Sequence, residues 1–219
     1  MDSLIAIRQK LNKKLAEHPN LDYWQSEFCI LEKNADIIGG GKRDLGMDTA
    51  LYVAWVMHAD LTLANASSWQ WWTAVTRADF KDGLICIDTG NENDLYNQET
   101  LKNDGVFHDS KLLWALGNYS RFVTPEMKRI EVKLSDNKTL NEQYKDVMIS
   151  AYKNEKTSEI VLVAINYSNE DKKMDLSGYT INKMYVTSKD KNLEATSVTN
   201  KTVTLEARSV STLIGHLKK

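Results

Sequence analysis

The sequence has 219 residues, with 28 basic and 30 acidic side chains and a formal charge of −2 at neutral pH. Hydrophobic residues make up 42% and charged ones 26%, a composition for one large or two modest folded domains, not for a disordered or fibrous chain. The near-zero balance argues against a general nucleic-acid binder, no run of about 18 apolar residues offers a membrane span, and Cys29 and Cys86 alone make no disulfide framework.

In chain order, Asp2 or Ser3 can cap a first helix whose apolar residues Leu4, Ile7, Leu11 and Leu15 recur at helical spacing, and Pro19 ends it. Leu21 to Leu31, rich in aromatic and apolar residues, predicts a buried strand. Gly39-Gly40-Gly41 marks a loop, after which Asp44 can cap a second helix to about Leu63 with a stripe of Leu51, Ala54, Trp55, His58 and Leu61. A strand at Trp69 to Ala74 follows, then an apolar run at Leu84 to Ile87, a long polar loop, and a helix over Ser110 to Asn118. Such alternation of helix and strand implies right-handed crossovers and parallel pairing.

The pattern changes near residue 120. All six tryptophans, Trp24, Trp55, Trp69, Trp71, Trp72 and Trp114, lie before it. Residues 1–119 carry 11 basic and 17 acidic side chains, residues 120–219 carry 17 and 13, so the net charge moves from −6 to +4. Two domains are expected, 1–119 and 120–219. In the second, Ile130-Glu131-Val132-Lys133-Leu134 alternates as a half-exposed strand should. Val147 to Tyr152, Ile160 to Tyr167, Ile181 to Thr187, Thr202 to Leu205 and Ser209 to Ile214 are further short strands, divided by turns such as Asn169-Glu170-Asp171 and Ser177-Gly178. This spacing predicts an antiparallel sandwich.

Chemistry concentrates in the first domain. In Tyr23-Trp24-Gln25-Ser26-Glu27-Phe28-Cys29, Glu27 is a carboxylate in an apolar strand, which is costly unless it is paired, hydrogen-bonded or at an exposed strand end. It is either a structural ion-pair partner or a catalytic group. Trp69-Gln70-Trp71-Trp72 joins aromatic faces to an amide, a combination that suits a sugar: rings stack on C–H faces and polar groups bond hydroxyls. Alternation sends Trp69 and Trp71 to one side and Gln70 and Trp72 to the other, so part of the cluster is core. Gly39 to Arg43 lacks phosphate-loop spacing. The four histidines have no zinc-ligand spacing, so no metal site is expected. Both cysteines read as inert thiols.

Four segments, in order, resemble the C-terminal portion of glycoside hydrolase family 30, the retaining enzymes related to glucosylceramidase and endo-β-1,6-galactanases. Trp24-Gln25-Ser26-Glu27 resembles the family's seventh-strand nucleophile motif, and Ala66-Ser67-Ser68-Trp69-Gln70-Trp71-Trp72 its eighth-strand tryptophan segment. Gly117 to Pro125 resembles the junction into the sandwich, and Ala207 to Leu213 the closing strand. The resemblance implies the last part of a (β/α)8 barrel followed by a β-sandwich. It implies retaining hydrolysis of β-linked glycans, with Glu27 as nucleophile, Trp24, Trp69, Gln70 and Trp72 on the substrate and no cofactor.

The family's acid/base glutamate lies in an Asn-Glu-Pro segment, and the only prolines here, Pro19 and Pro125, follow His18 and Thr124. A whole barrel takes about 250 residues. The chain is therefore expected to be a partial one carrying half of a catalytic pair, with an open sheet edge available for self-association. A non-catalytic carbohydrate-binding or structural fragment is the competing reading. Residues 1–4 show no secretion signal; the resemblance implies a secreted or periplasmic parent whose export signal would precede Met1.

Overall fold

The computed structural model describes residues 2–34, 36–88 and 104–218. They form two compact units, divided between Leu113 and Trp114.

In the first unit, α1 (Asp2–Ala16) has Asp2 in its first turn and Lys13 and Lys14 in its last, charges that oppose the helix dipole favourably. Its inward side differs from the expected stripe: Ile5 is buried, whereas Ile7 is 57% exposed. Polar anchors set that rotation. Arg8 reaches the Asp60 carboxylate at 2.8 Å, and Asn12 accepts a hydrogen bond from Asn65.

The strand β1 (Trp24–Phe28) is shorter than the apolar run predicted and is not buried: its residues are exposed or half-buried. The helix α2 (Met47–Thr62) follows. Asp44 does cap it, from two positions before the boundary residue Gly46, by accepting the Thr49 N–H and hydroxyl and the Gly46 N–H. Every residue from Thr49 to Asp60 is buried, so no single stripe faces the core.

The strand β2 (Ser68–Trp71) pairs parallel with β1. Next, β3 (Val75–Thr76) pairs parallel with β4 (Ile85–Asp88), and β4 pairs antiparallel with β5 (Val106–Asp109). That antiparallel hairpin departs from the all-parallel expectation. Of the long polar loop expected between Ile87 and Ser110, residues 89–103 lie outside the described residues, and the described part differs in holding the strand β5. Parallel pairing and helix–strand alternation are present, but no sheet of the described residues closes into a barrel.

The helix α3 (Lys111–Ser120) leads into the second unit, which is largely β. Its strands and one short helix are β6 (Met127–Ile130), α4 (Leu140–Gln143), β7 (Val147–Asn154), β8 (Glu159–Asn166), β9 (Lys172–Asp175), β10 (Tyr179–Thr187), β11 (Glu194–Ser197), β12 (Thr202–Leu205) and β13 (Ser209–Leu217). Six strands form an antiparallel sheet in the order β11-β10-β13-β8-β7-β6, and β12 pairs with β9 in a second, two-stranded layer. The core lies between the layers: Ile160, Leu162, Ala164, Met184, Val186 and Leu213 meet Leu176 and Leu205, with Met174 and Val203 packed against them.

The strand expected at Ile130 to Leu134 ends at Ile130, because only Met127 to Ile130 pair with β7. Asn118 of α3 is buried and fully used: its amide donates to the Thr187 hydroxyl at 2.7 Å and accepts from the Thr212 hydroxyl at 3.0 Å.

Candidate functional site

The residues singled out in the sequence converge on β1 and β2. Trp24 pairs with Ser68, Gln25 with Trp69, and Phe28 with Trp71. From Gln25 to Phe28 is three steps and from Trp69 to Trp71 is two, so β1 carries one extra residue there. Ser26 and Glu27 together stand opposite Gln70. The Gln25 side-chain amide donates to the Glu27 carbonyl at 2.7 Å, bracing the irregular stretch, and its carbonyl oxygen accepts from the Tyr23 hydroxyl.

The sheet has two chemically distinct faces. On one, Trp69 and Trp71 stack with centroids 6.2 Å apart and planes 15° from parallel, and Phe28 tilts against both at 6.0 and 6.1 Å. The Trp69 indole N–H donates to Asp60 Oδ2 at 3.0 Å. Asp60 is fully buried in α2 and holds Arg8 as well. This face is therefore fixed by packing and by a buried charge pair. Burial, and then the Asp60 carboxylate, push the neighbouring Tyr23 phenol above its ordinary pKa.

Alternation places Trp24, Ser68 and Gln70 on the opposite face. Trp24 is 62% exposed and Trp72 is 56% exposed, while Glu27 and Gln70 are also open to solvent. Of the five residues named from the sequence, four are thus solvent-facing groups. Trp69 is instead directed to Asp60.

The strand ends are tied by a residue that sequence reasoning passed over. Asp82 is buried, its Oδ1 accepts the Ile30 N–H at 2.7 Å, and its backbone carbonyl accepts both the Trp71 indole N–H at 2.7 Å and the Thr73 N–H at 3.0 Å. One residue therefore clasps the C-terminal ends of β1 and β2. Burial pushes its carboxyl pKa up, and the Ile30 N–H opposes that by favouring the charged form.

Gly40 supports the same edge. Its N–H bonds Leu31, and a Cβ on it would sit 2.0 Å from the Ile30 carbonyl oxygen, so only glycine lets the two backbones approach this closely. A Lys-Asp-Gly turn just before an apolar run was the available signal for Asp82, but nothing local says where that carboxylate reaches.

Cys29 is half-buried and Cys86 buried, and burial raises both thiol pKa values, as inert thiols require. Among the described residues no cluster of three or more His, Cys, Asp or Glu is placed to hold a metal ion. No helix among them is long and apolar enough to cross a membrane.

Residues 1–86 match O-Glycosyl hydrolase family 30. That stretch contains β1, β2 and the groups just described. No curated protein matches the chain.

Among solved structures, a conserved exported protein from Bacteroides fragilis is 39% identical with a TM-score of 0.83, over 96% of this chain and 42% of its own. A family 30 endoxylanase from Clostridium papyrosolvens is 19% identical with a TM-score of 0.62, over 95% of this chain and 46% of its own. A family 30 subfamily 8 xylanase from Clostridium acetobutylicum is 22% identical with a TM-score of 0.60, over 93% and 44%. The two xylanases share the fold. The chain spans less than half the length of each of these structures.

Proposed function

We propose that the chain is part of a retaining glycoside hydrolase acting on β-linked glycans, with Glu27 as its nucleophile. The observation that carries this is the strand pair β1 and β2, where an exposed carboxylate stands opposite an amide and two exposed indoles lie at the strand ends, within a stretch that matches family 30. Trp24 and Trp72 supply ring faces for a sugar's C–H surface and Gln70 bonds a hydroxyl. Trp69 acts from behind the strand, holding that surface in place through Asp60. In this reading β1 and β2 are the last two strands of a (β/α)8 barrel, whose catalytic groups collect at the C-terminal strand ends that Asp82 clasps here.

Retaining hydrolysis needs a second carboxyl about 5–5.5 Å from the first. We assign that acid/base to polypeptide outside residues 1–219 or to a second chain associating through the open strand edge. The parent enzyme would work outside the cytoplasm, in line with the exported Bacteroides fragilis relative.

The test is hydrolysis of aryl β-glycosides and β-linked oligosaccharides by the chain and by Glu27→Gln. Turnover that falls at least about 1,000-fold in the variant supports the assignment, since a covalent nucleophile has no substitute at that position. Turnover that survives Glu27→Gln overturns it. If neither protein turns over, saccharide affinity decides the role of this face. The exposed Trp24 and Trp72 equally favour a module that binds carbohydrate without cleaving it, and affinity lost in Trp72→Ala would support that second reading.

A further inference from the structure

A regular ladder sets the direction of every backbone group in a strand, and an extra residue suspends that control locally. Glu27 stands in such a place, because the register of β1 on β2 slips between Gln25 and Phe28. The next fixed points lie beyond it. The Phe28 carbonyl accepts the Trp72 N–H at 3.1 Å, and the Ile30 N–H donates to Asp82 at 2.7 Å. Neither holds the Glu27 carbonyl.

Gln25 holds it. Its side-chain amide donates to the Glu27 carbonyl oxygen at 2.7 Å, across the slip in register. That bond fixes the plane of the Glu27–Phe28 peptide, and with it the direction in which the Glu27 side chain leaves the strand. An amide works this way in one orientation only. Turned over, it would set its own oxygen against the Glu27 carbonyl. The Tyr23 hydroxyl selects the working orientation by donating to the Gln25 carbonyl oxygen. Burial, and then the Asp60 carboxylate, hold the Tyr23 phenol above its ordinary pKa, so that donor persists through the neutral range. Gln25 pairs with Trp69 in the register and so shares its packed face.

We propose that Gln25, oriented by Tyr23, is the positioning residue of the Glu27 carboxylate. It touches no sugar. A tyrosine–amide–carbonyl relay on the packed side of β1 aims an exposed carboxylate that the ladder leaves free to turn. The inference rests on the glycosidase reading and deepens it, since attack on a sugar depends steeply on aim: about 1 Å of misplacement can cost about a hundredfold in rate.

The test is covalent labelling of the 219-residue chain by deoxyfluoro-β-glucosyl and deoxyfluoro-β-xylosyl fluorides, with the adduct located by mass spectrometry. In this reaction the Glu27 carboxylate forms an ester bond to the anomeric carbon while the C–F bond breaks and fluoride leaves. Fluoride needs no proton to depart, so the labelling is independent of an acid/base carboxyl. Gln25→Met keeps the length of the side chain and loses both bonds. It should lower the limiting labelling rate more than about tenfold, leave the half-saturating reagent concentration within about twofold, and keep the amide signals of Ser68 to Trp71 in place. Tyr23→Phe should lower the limiting rate about threefold, and the double variant should be no slower than Gln25→Met, because Tyr23 acts only through the amide.

An unchanged limiting rate in Gln25→Met, or effects that multiply in the double variant, overturns the proposal while Glu27 stands as the nucleophile. A wild-type chain that carries no adduct on Glu27 overturns the nucleophile assignment itself, and the positioning role with it. If Gln25→Met displaces the β2 signals, Tyr23→Phe decides alone: a slower limiting rate supports the relay and an unchanged one overturns it.

Discussion

The β1–β2 pair and the β8–β13 pair end in opposite states, and composition does not explain why. The first contains Trp24, Phe28, Trp69 and Trp71, yet none of the four is fully buried. The second ends in Ser209-Val210-Ser211-Thr212, and all of these are buried completely. What differs is the surroundings. The β13 strand has neighbours on both edges, a partner for its Thr212 hydroxyl in Asn118 of α3, and a second β layer, whereas among the described residues β1 has one neighbouring strand. Burial follows the number of covered sides, and two of the three hydroxyls are bonded there, Ser209 donating to the Glu206 carbonyl and Thr212 to Asn118. An aromatic strand pair left open is a place for a ligand or for more protein.

That contrast can be broken from the buried side first. Asp60→Ala should cost about 3–5 kcal/mol, because it strands the Arg8 guanidinium without its partner and removes the Trp69 acceptor. Calorimetry should show the first unit melting early, and loss of the Trp69–Trp71 fluorescence signature should accompany it. A cost below about 1 kcal/mol would mean that the open pair does not depend on its back face.

Leu213→Ala, in the closed pair, should cost about 2–5 kcal/mol and leave that signature unchanged. Chemical denaturation monitored in both units separates the two variants.

A titration sharpens the difference further. Burial alone would raise the Asp146 pKa, but the bonds from Lys138 and Lys172 outweigh it and hold the carboxyl below its ordinary range. Its contribution to stability is therefore complete above the unfolded carboxylate value of about 3.9 and is lost as pH falls through the lower folded value. The Asp146→Asn variant should lose part of its stability at neutral pH and show a flatter acid limb. An unchanged acid limb would remove Asp146 from the account.

The smallest effect on folding belongs to the open face. Trp72→Ala should change stability by no more than about 0.5 kcal/mol, as surface changes do, while saccharide affinity falls by about 0.5–1.5 kcal/mol. A large loss of stability would mean that this indole is part of the fold's support.

Much of this was legible in the residues. The α2 span and its Asp44 cap, the bounds of β12, and the parallel pairing of β1 with β2 follow from spacing and turn chemistry. The overshoots have a common cause: Leu21 to Leu31 and Ile130 to Leu134 carry strand patterns, but a pattern describes faces and not partners, and the pairing stops sooner. The candidate site divides the same way. Alternation separates Trp69 from Gln70, whereas the Arg8–Asp60 pair and the Ile30–Asp82 bond each join residues 52 positions apart. No local period encodes such a contact. The rotation of α1 that exposes Ile7 follows from one of them.

The continuous burial of α2 from Thr49 to Asp60 also governs how this protein tolerates change over time. On α1, substitutions should accumulate on one side of the helix, because only one side is committed. On α2 no side is spare, so tolerated variation there should lack a helical rhythm and, apart from the hydrogen-bonded Thr49 and the paired Asp60, depend on volume, with each replacement answered by a compensating one across the packing. A saturation screen of the two helices would show one as a striped ribbon and the other as a solid block.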